Sequence, residues 1–158
     1  MAKIYGAAAA ALHAWTVSML TLINDAYAIG VVCGVGLRIG SGEQAVHPSA
    51  AVLNATDGAP VLVVDVFDAG VKPARLNALR RIYATAGAAE YWQLIAADPP
   101  IAHLLQRDGA RGFAETPADN RGLHYSLINE ELRFPVAWFA EQPMLVDMMA
   151  AWGLVDAD

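Results

Sequence analysis

Pro60-Val61-Leu62-Val63-Val64-Asp65-Val66-Phe67 is the stretch on which the fold turns. Apart from Asp65 the run is apolar and rich in β-branched residues, which predicts a strand. Its near-continuous apolarity predicts that both faces of that strand are covered. A carboxylate in the middle of it therefore needs a partner, because an isolated buried charge is costly. Arg75 and Arg80 are the arginines nearest in sequence that could supply one.

Working outward, Pro73 opens a helix to about Ala86, closed by Gly87. Leu76, Leu79, Ile82 and Tyr83 form its apolar face, and Arg75 and Arg81 reach solvent. Glu90 to Ala96 and Ile101 to Gln106 read as strands around the turn Asp98-Pro99-Pro100. A short piece at Gly112-Phe113, a polar loop from Glu115 to Asn120 and a strand from Leu123 to Ile128 follow. The tail from Val136 to Trp152 reads as an apolar helix. Upstream, Val31 to Ile39 and about Gln44 to Leu53 read as strands, separated by the turn Gly40-Ser41-Gly42; Asp57-Gly58 turns the chain into the central strand. Gly34-Val35-Gly36 imitates a dinucleotide-binding loop, but position 39 is Ile39 and no helix follows. The chain has no internal repeat or linker. It reads as one domain, 1–158, with an N-terminal helix at 7–27, a core at 30–135 and a C-terminal helix at 136–153.

The first thirty residues resemble an export signal, with Lys3, an apolar stretch from Ala7 to Ile23 and Ala26-Tyr27-Ala28 as a cleavage-like site. His13, Thr16, Ser18 and Thr21 interrupt the stretch. Leu12, Trp15, Met19, Leu22 and Ile23 recur at helical spacing, so a core or interface helix is favoured over a membrane segment.

Hydrophobic residues make up 56% of the chain and charged residues 16%, well below the roughly 25% of ordinary globular chains. An apolar surface of that kind favours a protein partner or a homo-oligomer. The net charge of −6 disfavours nucleic acid, whose phosphates are neutralised by Lys and Arg. A single cysteine, Cys33, excludes an internal disulfide framework and fits a reducing, cytoplasmic setting. His13, His47, His103 and His124 lack metal-site spacing.

Two blocks carry a family resemblance: Pro60 to Val66, and Tyr83-Ala84-Thr85-Ala86-Gly87-Ala88-Ala89-Glu90-Tyr91-Trp92. Together they resemble the Uma-two family of restriction endonucleases, a branch of the PD-(D/E)xK nuclease superfamily. That family reads P-D-L-V-V-E-V, then a helix ending Y-A-x-A-G-V-x-E-Y-W. His47-Pro48-Ser49 is similar to its upstream Pro-Asp pair, and Leu132 to Val136 to its closing strand. The resemblance implies an α/β (α+β) restriction-endonuclease-like fold, a mixed sheet flanked by helices, with apolar helices at both termini.

It also implies a site. Such nucleases hold magnesium with two carboxylates, because that ion takes hard oxygen ligands, and a lysine stabilises the developing charge. The family-equivalent positions here are Ser49, Asp65 and Leu79. Ser49 is a neutral hydroxyl, and Leu79 can neither donate a hydrogen bond nor carry charge. Losing one such donor costs about 2.7–4 kcal/mol of barrier lowering. Asp68, Arg80 and Glu43 are the residues that could rescue a site with magnesium. The expectation is a pseudoenzyme needing no cofactor, acting as a structural or accessory subunit. An endonuclease with a relocated site and a membrane-associated subunit are the alternatives. The expected interface is the tail, with Trp138, Phe139, Met144, Leu145, Met148, Met149 and Trp152. Trp92 is expected to pack against the helix that carries Leu79 and Tyr83.

Overall fold

In the computed structural model, which describes residues 4–34, 36–109 and 112–156, the central run becomes strand β3 (Pro60–Asp68). Around it lie β1 (Val31–Cys33), β2 (Ala50–Leu53), β4 (Glu90–Ala96), β5 (Ile101–Arg107) and β6 (Phe113–Glu115). They form one six-stranded sheet in the order β1-β2-β3-β4-β5-β6. All neighbours are antiparallel except β3 and β4 at the centre, which run parallel, with Asp65 opposite Gln93. Parallel neighbours need a crossover, and helix α2 (Pro73–Thr85) supplies it.

Side-chain alternation along β3 builds two cores. Leu62, Val64 and Val66 face helix α1 (Ala7–Tyr27), which buries Leu12, Met19, Leu20 and Ile23 against them. Val63 and Phe67 face α2 and meet Leu76, Leu79 and Tyr83. β3 is thus covered on both sides, which explains why its sequence barely alternates. The same alternation sends Tyr91 to the α2 face and Trp92 to the α1 face. Trp92 stacks edgewise on Phe134 and Phe139, so it does not pack on the helix that carries Leu79. The sequence expectation for Trp92 was wrong by one residue of pleat.

α1 ends where Ala28 turns left-handed and donates its N–H to Asn24 O, and the Asn24 side chain takes the N–H of Gly30. Gly30 is required there, since a Cβ would lie 2.2 Å from Leu53 O. By length and composition the 21-residue α1 could cross a membrane. Its buried stripe covers one face of the sheet.

Four boundaries differ from the sequence reading, the simplest being the strand expected from Leu123 to Ile128, which ends at Tyr125. The run 31–39 is a strand only to Cys33; the chain turns at Gly36 (φ +93°), and Ile39 makes a single bridge to Val46. Gln44 belongs to a 3-10 turn, Gly42–Gln44, and the strand expected from there starts at Ala50. The tail is not one helix over 136–153. It splits into α3 (Trp138–Glu141) and α4 (Leu145–Ala151). Pro143 causes the break, having no N–H to donate and excluding helical backbone from the residue before it. Gln142 closes α3 in the left-handed region, at φ +46°, with its N–H donating to Trp138 O. A hairpin of β7 (Leu123–Tyr125) and β8 (Arg133–Pro135) completes the α1 side.

Candidate functional site

Asp65 points from the middle of β3 into the α2 layer and is fully buried. Tyr83 Oη, from α2, donates to its Oδ2 at 2.9 Å. Tyr91 Oη, from β4, donates to the same oxygen at 3.1 Å. The backbone N–H of Ser49 donates to Oδ1 at 3.2 Å. Among the described residues, donors from three segments therefore converge on this carboxylate. Burial first, and then the charge of Asp65, pushes the Tyr83 and Tyr91 hydroxyls far above the ordinary tyrosine range. The two rings meet edge to face with centroids 4.7 Å apart. Arg80, expected as a partner of Asp65, instead donates from Nε to Gln93 Oε1 at 2.9 Å.

Ser49, at the entry to β2, is also buried. Its hydroxyl accepts from the Val66 N–H at 2.9 Å and lies 2.6 Å from Tyr5 Oη. His13 Nε2 lies 2.9 Å from the Ser49 carbonyl. Burial raises the Tyr5 hydroxyl too, against the hydrogen bond to Ser49. The segment before α1 also holds Asp68, whose Oδ1 accepts from the Gly6 N–H at 3.0 Å. A Cβ at position 6 would lie 2.8 Å from that oxygen, so the Asp68 carboxylate would have to shift to admit it.

Leu79 packs in the α2 core. It lines a cavity of about 410 Å3 with Asp65, Arg75, His47 and Ile82. The fold therefore brings Ser49, Asp65 and Leu79 to one place. The rescue residues do not gather there. Asp68 sits on the opposite face of β3, Glu43 is exposed on the 3-10 turn, and Arg80 faces a different cavity. Among the described residues, no group of three or more His, Cys, Asp or Glu is arranged to hold a metal ion.

Comparison with solved structures adds one observation. The chain superposes on a crystal structure from Anabaena variabilis ATCC 29413, described as a candidate nuclease of DUF820, with a TM-score of 0.55. The match covers 95% of this chain and 84% of the other at 13% identity. The fold is nuclease-like. DUF820 is the Uma-two family that the two sequence blocks resemble. No family model and no curated relative matches the sequence.

The matched Glu-Tyr-Trp block has a structural use on this fold. Glu90 is fully buried on the α1 face. Its carboxylate accepts from Trp92 Nε1, Gln106 Nε2, Ser126 Oγ and the Leu127 N–H, at 2.8 to 3.3 Å. It ties the segment after β7 to the centre of the sheet. His124 Nε2 lies 3.5 Å from Glu90 Oε1, yet neither ring nitrogen makes a hydrogen bond.

Of the expected interface residues, Trp138, Phe139 and Met148 are buried in the chain's own core. Met144 and Leu145 are exposed, whereas Met149 and Trp152 are half-buried. Trp152 is fixed by Nε1 donating to Arg133 O and by stacking on Trp138 and Tyr27.

Sequence reasoning missed Tyr5, Tyr83 and Tyr91 as the groups that hold Ser49 and Asp65. For Tyr91 a signal existed, since odd positions of β3 and β4 share a face in this register. For Tyr5, far upstream and outside any pattern, no signal existed.

Proposed function

We propose that this chain is a nuclease-fold protein that does not cut nucleic acid and serves as a structural or accessory subunit. The observation that carries this reading is the state of the Asp65 carboxylate. It is fully buried, and both of its oxygens accept from groups of the chain itself. A magnesium ligand must offer a lone pair to an ion that keeps several waters in octahedral geometry. The neighbouring family-equivalent positions support the same reading. Ser49 carries no charge and is engaged by Tyr5 and Val66, and Leu79 supplies apolar packing instead of a cation. The DUF820 neighbour supports a nuclease-like fold and no more.

A second reading, a magnesium-dependent endonuclease with a relocated site, is favoured by one feature. The cavity beside Asp65 persists and holds Arg75 and His47. A plasmid-nicking assay with magnesium or manganese separates the two. The accessory reading expects no conversion of supercoiled plasmid above a no-protein control. Robust nicking that is lost in Asp65→Asn, with that variant still folded, overturns it.

A further inference from the structure

We infer that the exposed face of α2 is a docking surface for a short acidic segment of a protein partner; the inference rests on the accessory reading above. Lys72, Arg75 and Arg81 are exposed and, with the half-buried Arg80 bonded to Gln93, lie within ten consecutive residues, four of the chain's ten basic residues. The helix between Pro73 and Thr85 contains no acidic residue. The ion pair between a Lys or Arg and a carboxylate among the described residues lies elsewhere, at Arg121–Asp119. Such a cluster of cations, with no ion pair among the described residues, is unusual on a chain of net charge −6, where acidic groups outnumber basic ones.

The face is also grooved. A cavity of about 570 Å3 runs between the α2 residues Ala78, Arg81 and Thr85 and the turn at Gly40 and Ser41. It shares Ala78 and Ile82 with the Asp65 cavity, which opens onto Arg75. On the other flank, Arg80 and Arg81 line a third cavity with Asn77 and Phe113. Small side chains, Ala74, Ala78 and Ala84, leave room between the cations.

The occupant follows from charge and length. Thirteen helical residues span roughly 20 Å, which about six residues of extended chain would cover. Arginine suits carboxylates, which it can grip with two parallel hydrogen bonds. A nucleic-acid duplex fits less well. It carries a charge every 1.7 Å or so along its axis and would run past the cations onto acidic ground. Glu43 stands on the same 3-10 turn as Gln44, which lines the first cavity. Asp108 is bonded through its N–H to the carbonyl of Gly112, which lines the third.

The test uses the full chain and a fluorescein-labelled hexaglutamate peptide, with a 12-base-pair duplex and an oligonucleotide single strand as competitors. Fluorescence anisotropy at low salt is expected to give saturable peptide binding that weakens several-fold when salt rises to physiological strength. Arg75→Glu/Arg81→Glu should lower the affinity at least tenfold, and Arg75→Gln/Arg81→Gln by less. Both residues are exposed, and the neutral pair, which brings no carboxylate toward Asp65, should melt with the wild type; its loss of affinity carries the comparison if charge reversal also lowers the melting midpoint. No peptide binding, binding indifferent to charge reversal, or tighter binding of either nucleic acid overturns the inference. Plasmid nicking measured on the same preparation keeps the two readings apart. Without nicking, failure of the peptide to bind sinks only the docking surface; with nicking, the accessory reading falls whatever the peptide does.

Discussion

If Asp65 is kept for structure, replacing it by asparagine must cost stability. Among the described residues, two tyrosine hydroxyls and the Ser49 N–H donate to the carboxylate. An amide has one oxygen. If that oxygen faces the tyrosines, the amide NH2 confronts the Ser49 N–H, donor against donor. If it is flipped, both hydroxyls lose their acceptor. A hydrogen bond to a charged group contributes about 1.5–3 kcal/mol and a neutral one about 0.5–1.5, while a buried orphan donor costs about 1–3. Weakening two bonds and orphaning one donor, less the relief of burying no charge, leaves a net loss of ~2–4 kcal/mol. For a chain of this size each kcal/mol moves the melting midpoint by about 2–4 °C, so Asp65→Asn should melt roughly 4–16 °C lower. Urea denaturation gives the free energy directly, with an unchanged slope as the sign that both end states are preserved. A cycle with Tyr83→Phe should show coupling above about 0.5 kcal/mol. An Asp65→Asn variant as stable as the wild type, or more so, refutes the reasoning. That is the behaviour of a carboxylate held for function at the expense of stability.

Other predictions follow from the same packing. Tyr83 and Tyr91 hold their protons in the folded state well above the ordinary value of about 10, so the unfolded chain loses protons first as pH rises. Their contribution is complete below pH ~10 and declines above it, by about 1.4 kcal/mol per pH unit for each tyrosine. Urea titrations at alkaline pH should show a steeper loss in the wild type than in Tyr83→Phe/Tyr91→Phe; equal slopes would contradict the assignment. His124→Phe keeps the ring contacts with Trp92 and Phe134 and removes two buried nitrogens without hydrogen bonds. It should be neutral or stabilising by about 1 kcal/mol, and a loss of 2 kcal/mol or more would reveal a dependence on the Glu90 contact. Phe139→Ala should cost about 3–5 kcal/mol, whereas exposed Met144→Ser should change stability by less than about 0.5. The reverse order would move the tail from core to surface.

Much of the architecture was legible because it rests on local rules. Pro73 and Gly87 bracket α2 as capping preferences require, and continuous apolarity marked β3 as a covered strand. The resemblance pointed to Ser49, Asp65 and Leu79, which the entry to β2, strand β3 and helix α2 bring close to one another. What stayed hidden depends on pairing between distant segments. No sequence pattern says that Tyr5 meets Ser49 across 44 positions, or that two tyrosine hydroxyls will converge on one aspartate oxygen. The terminal helix was misjudged for a simpler reason. Apolar content was weighed above Pro143, and a proline inside a helical pattern breaks it.

Most directly, manganese can be titrated into 15N-labelled protein while amide resonances are watched for paramagnetic broadening. With the Asp65 oxygens occupied by internal donors, the signals of Ser49, Asp65 and Val66 should fade no sooner than those of scattered surface carboxylates. Saturable broadening centred on those three amides at sub-millimolar metal would mean that a divalent ion still binds there, and the account of an inert site would be wrong.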